Sequence, residues 1–299
     1  MQKKILFIPG KNPKPEPDAH HELLQQCLLA GIAKHCETTA QEIQQQNAFE
    51  LCAWNYPFYQ EHLQCNDQQQ CIERLLNKDK PNIRDKVRAK SWKIRASRLV
   101  YQTGDRFPWL IDLLADEHVK AMLDGTTQYF ENHQGRGEIT RSVLRTSLQP
   151  YLNGDYQLLI IAHSLGSIIA YDTLYQISQL DRSAKHIDLF LTLGSPLGLH
   201  YSQKRLLAFS QTDPSLLPSN IKQWHNVAAR GDLVSVDETL SDDFALMVSA
   251  GLTEKIVDHS KGVYHWYKNA LGYNFHSSYG YLAGPTTAKI IQQWWKDAL

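Results

Sequence analysis

A serine stands at the end of one of the most apolar runs of the chain, residues 156–162. A helical pattern starts directly at Leu165, so the chain must turn sharply at Ser164. Such a turn strains the serine backbone and needs small residues where strand and helix pass closely, which Ala162 and Gly166 provide. The turn exposes the serine hydroxyl and directs the Leu165 amide and the positive end of the helix to one point. This pattern is typical of a serine nucleophile whose reaction develops a negatively charged oxygen.

The segment Ala162-His163-Ser164-Leu165-Gly166 resembles the G-x-S-x-G nucleophile elbow, with alanine in the first small position. The chain thereby resembles the α/β-hydrolase family, in its lipase- and esterase-like branch. The resemblance covers most of the chain except about residues 56–108, and it implies the order serine, acid, histidine along the sequence. It also implies cleavage of an ester through an acyl-enzyme, with neither a metal ion nor an organic cofactor.

The resemblance places the acid after the strand that follows the next crossover. Asp232 follows Gly231 there, at the end of an apolar run, and the segment is similar to the family's G-D-x-V acid loop. A surface turn capped by an aspartate is the alternative interpretation. Asp232 is therefore the predicted acid, and four nearby carboxylates, whose clustering is more typical of a solvated loop, compete with it: Asp237, Glu238, Asp242 and Asp243.

The base is expected late in the chain, on a loop before the final helix. Residues 274–282 are similar to the family's late H-x-x-Y-x-Y-L segment, which makes His276 the predicted base. His259 and His265 lie in the same range and remain alternatives. We expect His163, next to the serine, to pack in the pocket wall and not to act as the base.

Two backbone amides are expected to bind the oxyanion, and the first is that of Leu165. The family places the second after an early strand, in an H-G-x turn. Pro9-Gly10-Lys11 stands in that place, so the amide of Lys11 is the predicted second donor, and proline replaces the family's usual histidine. Ser195 is expected in a tight turn at the pocket border, because the proline that follows it hinders the start of a helix.

Short apolar runs predict the strands that must carry these residues, and their continuity predicts burial on both faces, as in a parallel sheet. The runs occupy residues 5–8, 49–54, 156–162, 187–193 and 224–230. Helical patterns between them, such as about 20–35, 165–177 and 285–295, predict the crossovers. We therefore predict an α/β fold, with a mostly parallel central sheet and helices on both faces, as a single domain over residues 1–299.

The stretch of about residues 56–108 interrupts this alternation. It contains no convincing strand pattern, and it carries a basic run between Lys78 and Arg98 that Asp79 and Asp85 dilute. We predict a helical cap insertion that shapes a pocket or meets an anionic surface. A solvated helix face is the alternative interpretation of the basic run.

The composition is that of an ordinary globular protein, with 42% hydrophobic and 21% charged residues. The 31 Lys and Arg residues balance the 31 Asp and Glu residues, which argues against a nucleic acid as partner. No apolar run reaches the roughly 18 residues of a transmembrane segment, and the apolar start is shorter than the core of a signal peptide. The five cysteines lack the spacing of a metal site. We predict a cytoplasmic location, and the oligomeric state is left open.

These observations together predict a serine hydrolase that cleaves a carboxylic ester in a small-molecule or lipid-like substrate. Ser164, Asp232 and His276 would form its catalytic triad. Two further hypotheses are kept. One is a non-catalytic binding protein with a hydrolase fold. The second is a thioesterase or an acyltransferase that uses the same triad.

Overall fold

A six-stranded parallel sheet forms the centre of the molecule. The computed structural model describes residues 2–63, 67–106, 126–180 and 187–297. The strands are β1 (Gln2–Ile8), β2 (Phe49–Leu51), β3 (Tyr156–His163), β4 (Leu189–Leu193), β5 (Gln223–Val227) and β6 (Lys255–His259). They lie in the order β2-β1-β3-β4-β5-β6, and neighbouring strands are parallel. The predicted α/β fold with a mostly parallel sheet is confirmed.

Helices connect and cover these strands. In chain order they are α1 (Pro17–Ala33), α2 (Glu37–Gln45), α3 (Asn55–Tyr59), α4 (Gln68–Leu76), α5 (Ile83–Ala89), α6 (Trp92–Arg106), α7 (Arg136–Asn153), α8 (Leu165–Leu180), α9 (His200–Gln203), α10 (Ala245–Ser249), α11 (Ser278–Leu282) and α12 (Pro285–Lys296). Among the described residues, no helix combines the length and the apolar character that crossing a membrane requires.

Alternate residues of the inner strands face two separate hydrophobic cores. On β1, Ile5 and Phe7 belong to one core, whereas Leu6 and Ile8 belong to the other, because successive side chains of a strand point to opposite faces. Side chains of α1, α2 and α12 complete the first core, and those of α7 and α8 complete the second. Burial on both faces explains the apolar runs of β1, β3 and β4, whereas the inner strand β5 has only Trp224 and Val227 as apolar residues.

Several element boundaries differ from the predicted ones. Helix α1 begins at Pro17, earlier than predicted, because a proline in the first turn needs no amide donor. Strand β4 begins at Leu189, and Ile187 forms only an isolated bridge with Ile221. Strands β2 and β5 both end three residues before the predicted ends, where the chain leaves the sheet to build the loops of the candidate site.

Strand β6 and the short hairpin of β7 (Lys268–Asn269) and β8 (Gly272–Tyr273) were not predicted. Strand β6 lies at the edge of the sheet, and its residues are exposed or half-buried. An edge strand needs no continuous apolar run, so the pattern that revealed the inner strands is absent from it.

The stretch predicted as a helical insertion is helical where the structure describes it. Helices α3 to α6 occupy most of it, and its described part contains no strand; residues 64–66 and 107–108 lie outside the described residues. Helix α5 begins with a capping box, in which Asn82 Oδ1 accepts the Asp85 amide at 2.9 Å and Asp85 Oδ2 accepts the Asn82 amide at 2.6 Å. Asp85 also accepts the Tyr273 hydroxyl at 3.0 Å, which ties α5 to β8.

Candidate active site

Ser164 occupies the turn between β3 and α8. Its φ is 55°, in the left-handed region that residues with a side chain rarely adopt. The Ser164 amide donates to the Leu193 carbonyl at 3.1 Å, and the Ser164 carbonyl accepts both the amide and the hydroxyl of Ser167, at 2.9 and 2.6 Å. These bonds hold the strained conformation that the sequence predicted.

Close backbone approach explains the small residues around this turn. A β-carbon on Gly166 would lie 2.5 Å from the Ile8 carbonyl oxygen and 2.6 Å from that of Pro9. A β-carbon on Gly10 would lie 2.8 Å from the Ser164 β-carbon. Glycine at these two positions therefore lets the start of α8 and the loop after β1 meet at the serine.

His276 joins the serine to a buried carboxylate. Its Nε2 lies 2.7 Å from Ser164 Oγ, and its Nδ1 lies 2.9 Å from Asp232 Oδ2. A carboxylate oxygen only accepts, so Nδ1 carries the proton and Nε2 is left to accept the serine hydroxyl. The structure thus brings together the three residues that the sequence selected, and we refer to them as the triad.

Asp232 is buried, yet it is held as an anion. Its Oδ2 also accepts the Tyr281 hydroxyl at 2.6 Å, and its Oδ1 accepts the Val234 amide at 2.8 Å. Burial alone would raise the pKa of Asp232. The charge and hydrogen bond of His276, with the donors Tyr281 and Val234, outweigh burial and lower this pKa to about 2. Tyr281 falls inside the late segment that selected His276, but its contact with the acid was not predicted.

Two further histidines hold the backbone on either side of the base. His163 Nε2 lies 2.9 Å from the carbonyl oxygen of His276, and His265 Nε2 lies 2.7 Å from that of Phe275. A carbonyl only accepts, so both Nε2 atoms carry a proton. Burial lowers the pKa of His163 well below its usual value and that of His265 to about 4, so both rings are neutral donors at pH 7.

The competing histidines and carboxylates have other partners. His265, kept as an alternative base, points its Nε2 to the Phe275 carbonyl, and His259 Nε2 lies 3.3 Å from His225 Nδ1. Glu238 pairs with Arg98 and Arg230, at 2.7 and 2.9 Å. Asp237 Oδ1 accepts the Thr239 amide at 3.2 Å, and Asp242 is exposed.

Ser195 stands directly before a tight turn, in which the Leu199 amide donates to the Pro196 carbonyl at 3.1 Å. It was predicted at the pocket border, but it is not among the residues that line the cavity at Ser164. Its side chain is buried, and its Oγ lies 2.7 Å from Ser167 Oγ and accepts the Leu197 amide at 3.2 Å. These contacts account for its hydroxyl as part of the turn structure.

The loop after β1 is fixed beside the serine by two side chains that the sequence analysis did not select. Trp54 Nε1 donates to the Pro9 carbonyl at 2.8 Å, and Asn55 Nδ2 donates to the Gly10 carbonyl at 2.9 Å. Lys11, the predicted second oxyanion donor, lines the same cavity as Ser164. Leu165, the predicted first donor, is the first residue of α8.

A cavity of about 610 Å³ opens on Ser164 and His276. Its size is that of a small-molecule site. Most of the residues that line it have polar side chains, but about half of the lining surface is apolar. Lys14 Nζ donates to the Lys11 carbonyl at 2.6 Å. The polar and charged side chains of the lining beyond the triad include Asn12, Lys11, Lys14, Asp67, Gln68, Asn269, Asn274, Ser277 and Ser278.

The described residues define an α/β protein with a hydrogen-bonded serine, histidine and aspartate at a polar cavity. In this part of the chain, no group of three or more His, Cys, Asp or Glu side chains is placed to hold a metal ion. Comparisons with protein-family models, with curated proteins and with solved structures give no match.

Proposed function

We propose that the protein is a serine hydrolase of the α/β-hydrolase type that cleaves carboxylic esters. One observation carries the proposal: His276 bridges Ser164 Oγ and the buried Asp232, at 2.7 and 2.9 Å. A serine hydroxyl is a weak nucleophile at neutral pH, and it needs a base that a third group orients. The strained turn at the end of β3 supports the same assignment.

In the acylation half of the proposed reaction, Ser164 Oγ attacks the ester carbonyl carbon while His276 Nε2 takes the hydroxyl proton. Asp232 keeps the proton on Nδ1 and stabilises the imidazolium that forms. The amides of Leu165 and Lys11 donate to the oxyanion of the tetrahedral intermediate. His276 then gives its proton to the departing alcohol oxygen, which leaves an ester between the acyl group and Ser164.

In the second half, water takes the place of the alcohol. His276 accepts a proton from the water as its oxygen attacks the acyl carbon, and it then returns the proton to Ser164 Oγ. The carboxylic acid is released and the serine hydroxyl is restored. No step requires a group beyond the side chains and amides named for this site.

The volume of the cavity, about 610 Å³, and its mixed polar and apolar lining favour a small ester at this site. Amide and hydroxyl groups such as Asn12, Asn274 and Ser278 can bind polar parts of a substrate, and Lys11 and Lys14 bring positive charge to the same wall. About half of the lining surface is apolar, with Leu63 and Tyr267 among the side chains that can contact an acyl group. We therefore propose a small-molecule ester as the substrate class.

The proposal is tested with chromogenic acetyl and butyryl esters and with a serine-directed fluorophosphonate probe. We expect Ser164→Ala to lower kcat by about 10⁴-fold or more and to abolish labelling. Ser195→Ala, which alters a second serine close to the site, should keep both. Full activity of Ser164→Ala would refute the proposal. A wild-type protein that is neither active nor labelled would favour a non-catalytic binding protein. Faster turnover of thioesters would favour a thioesterase, and faster transfer to an added alcohol would favour an acyltransferase.

A further inference from the structure

Helix α5 presents apolar side chains to solvent. Ile83 and Val87 are 81% and 64% exposed, and they lie on one face because they are four residues apart. Asp85 and Ala89, on the opposite face, are buried. The helix thus buries one face against the protein and turns two large apolar side chains outward.

Helix α6, which begins three residues after the end of α5, also carries exposed apolar side chains. Trp92 and Leu99 are 74% and 65% exposed, and their spacing of seven residues, about two turns, places them on one face. Arg95 and Ala96, between them on the same face, are exposed as well. We refer to Ile83, Val87, Trp92 and Leu99, with the basic residues around them, as the α5–α6 surface. Single exposed apolar residues are common, but a cluster of this kind indicates a contact with a partner.

The segment that carries this surface concentrates positive charge. The formal net charge of the whole chain is +0, yet residues 78–98 contain nine basic residues and only two acidic ones. One of these two, Asp85, is buried and paired with Lys78. The basic residues are Lys78, Lys80, Arg84, Lys86, Arg88, Lys90, Lys93, Arg95 and Arg98.

A cavity of about 890 Å³ lies between the helices α5 and α6 and residues 261–264. Its described lining contains no acidic side chain. Two of its lining residues, Arg98 and Arg230, pair with Glu238, which is not part of the lining. Lys90 Nζ lies 5.7 Å from the centre of the Tyr264 ring. The basic side chains of the lining are Lys90, Arg95, Arg98, Arg230 and Lys261. Such a groove suits the phosphate or carboxylate of a lipid headgroup.

We propose that the α5–α6 surface docks on a bilayer that contains anionic phospholipids. Ile83, Val87, Trp92 and Leu99 would enter the boundary between headgroups and acyl chains, a region that tryptophan prefers. The basic residues would contact the headgroups. Charge complementarity favours this partner, since a nucleic acid would leave the four apolar side chains in water and an apolar protein patch would desolvate the basic ones.

Docking would leave α5 between the bilayer and the loops that carry Asp232 and His276. The β-carbon of an alanine at Gly231, next to Asp232, would lie 2.9 Å from the Phe275 ring and 3.2 Å from Cα of Ala89, so α5 packs beside the loops of the acid and the base. The proposal concerns the location of the protein and is independent of the ester that it cleaves.

The test is co-sedimentation with vesicles of phosphatidylcholine alone or with about 30% phosphatidylserine, at an ionic strength of about 0.1 M. We expect the wild type to bind the anionic vesicles at least tenfold more tightly. Trp92→Ser/Leu99→Ser and Lys90→Glu/Arg95→Glu should each weaken that binding by about tenfold or more. The matched control is Leu180→Ser/Leu271→Ser, which removes two leucines that are 82% and 95% exposed elsewhere and should bind as the wild type does.

Three results would overturn the proposal. The first is equal binding, or no binding, to the two kinds of vesicle. The second is a loss of binding in the charge variant alone, accompanied by tight binding of the wild type to RNA, which would make this a site for a polyanion. The third concerns Trp92→Ser/Leu99→Ser without lipid: a melting temperature below that of the leucine control, or an assembly in gel filtration that is smaller than that of the wild type. Either result would show that protein already covers the surface.

Discussion

His265 donates its Nε2 proton to the carbonyl oxygen of Phe275, 2.7 Å away and one residue before His276. His163 makes the equivalent bond, at 2.9 Å, to the carbonyl oxygen of His276 itself. The main chain that carries His276 is therefore fixed from two sides by neutral, buried imidazoles. The orientation of the His276 ring depends on these bonds as well as on Asp232.

Substitution of His265 separates the hydrogen bond from simple packing. Glutamine can place an amide nitrogen close to the position of an imidazole Nε2, whereas leucine fills space without a donor. We expect His265→Leu to lower kcat for a chromogenic ester by about tenfold to a hundredfold with little change in KM, because a small displacement of the base is costly. His265→Gln should recover most of the rate. Equal losses in the two variants would contradict a role for the hydrogen bond.

The buried histidines predict a loss of stability in acid. Burial lowers the pKa of His265 to about 4, compared with about 6.5 for an unfolded histidine, so the unfolded chain binds more protons between these values. The free energy of unfolding should have its full value above about pH 6.5, and it should decrease as the pH is lowered towards 4. His265 alone accounts for about 3 kcal/mol of this fall.

Urea denaturation at pH 7.0 and 4.5 measures this effect. The wild type should lose more stability between the two pH values than His265→Gln, which has no titrating group at that position. His20, whose pKa burial lowers to about 3, keeps its contribution in both proteins. A variant with the same pH dependence as the wild type would contradict the assignment.

Asp232→Asn tests the proposed role of the acid. The asparagine side chain can donate an N–H as well as accept at its oxygen. It therefore accepts the hydrogen bond from His276 Nδ1–H less reliably, and it favours the tautomer in which Nε2 carries the proton. We expect kcat to fall by about 10⁴-fold while the fold is kept. Asp242→Asn, an equivalent change at an exposed position, is the control and should leave the rate unchanged. A loss below tenfold in Asp232→Asn would contradict the role of Asp232.

Gly194→Ala tests how tightly the acid is enclosed. Gly194 has a φ of 55°, and a β-carbon there would lie 2.7 Å from Asp232 Oδ2 and 3.1 Å from His276 Nδ1. Gly251, with a φ of 70° and open space around it, provides the matched control. We expect Gly251→Ala to lose about 1 kcal/mol of stability and no activity, because only the backbone is strained. Gly194→Ala should lose more stability and about a hundredfold in kcat; the same result for both variants would contradict the close contact.

Strands β1, β3 and β4, which are buried between two layers of helices, could be predicted from the sequence because each contains a run of apolar residues. Strand β6 could not, since an edge strand such as Lys255–His259 has no such run. Ser164 was marked by the local conformation that its neighbours must permit. The contacts of His265 with Phe275 and of Trp54 with Pro9 end on backbone carbonyls, which every residue has, so no residue type at the acceptor signals them.

Ser164 and His276 are 112 positions apart in the chain, and the bond between them closes only when the last loops have packed on the sheet. Contacts of such long range form late, because the entropy lost in closing a large loop must first be offset by other structure. During refolding from urea, ester hydrolysis should therefore recover after the circular dichroism signal of the helices. A nascent chain that has emerged from the ribosome only as far as α8 would carry the serine without its base, and it would be chemically inert until synthesis was nearly complete.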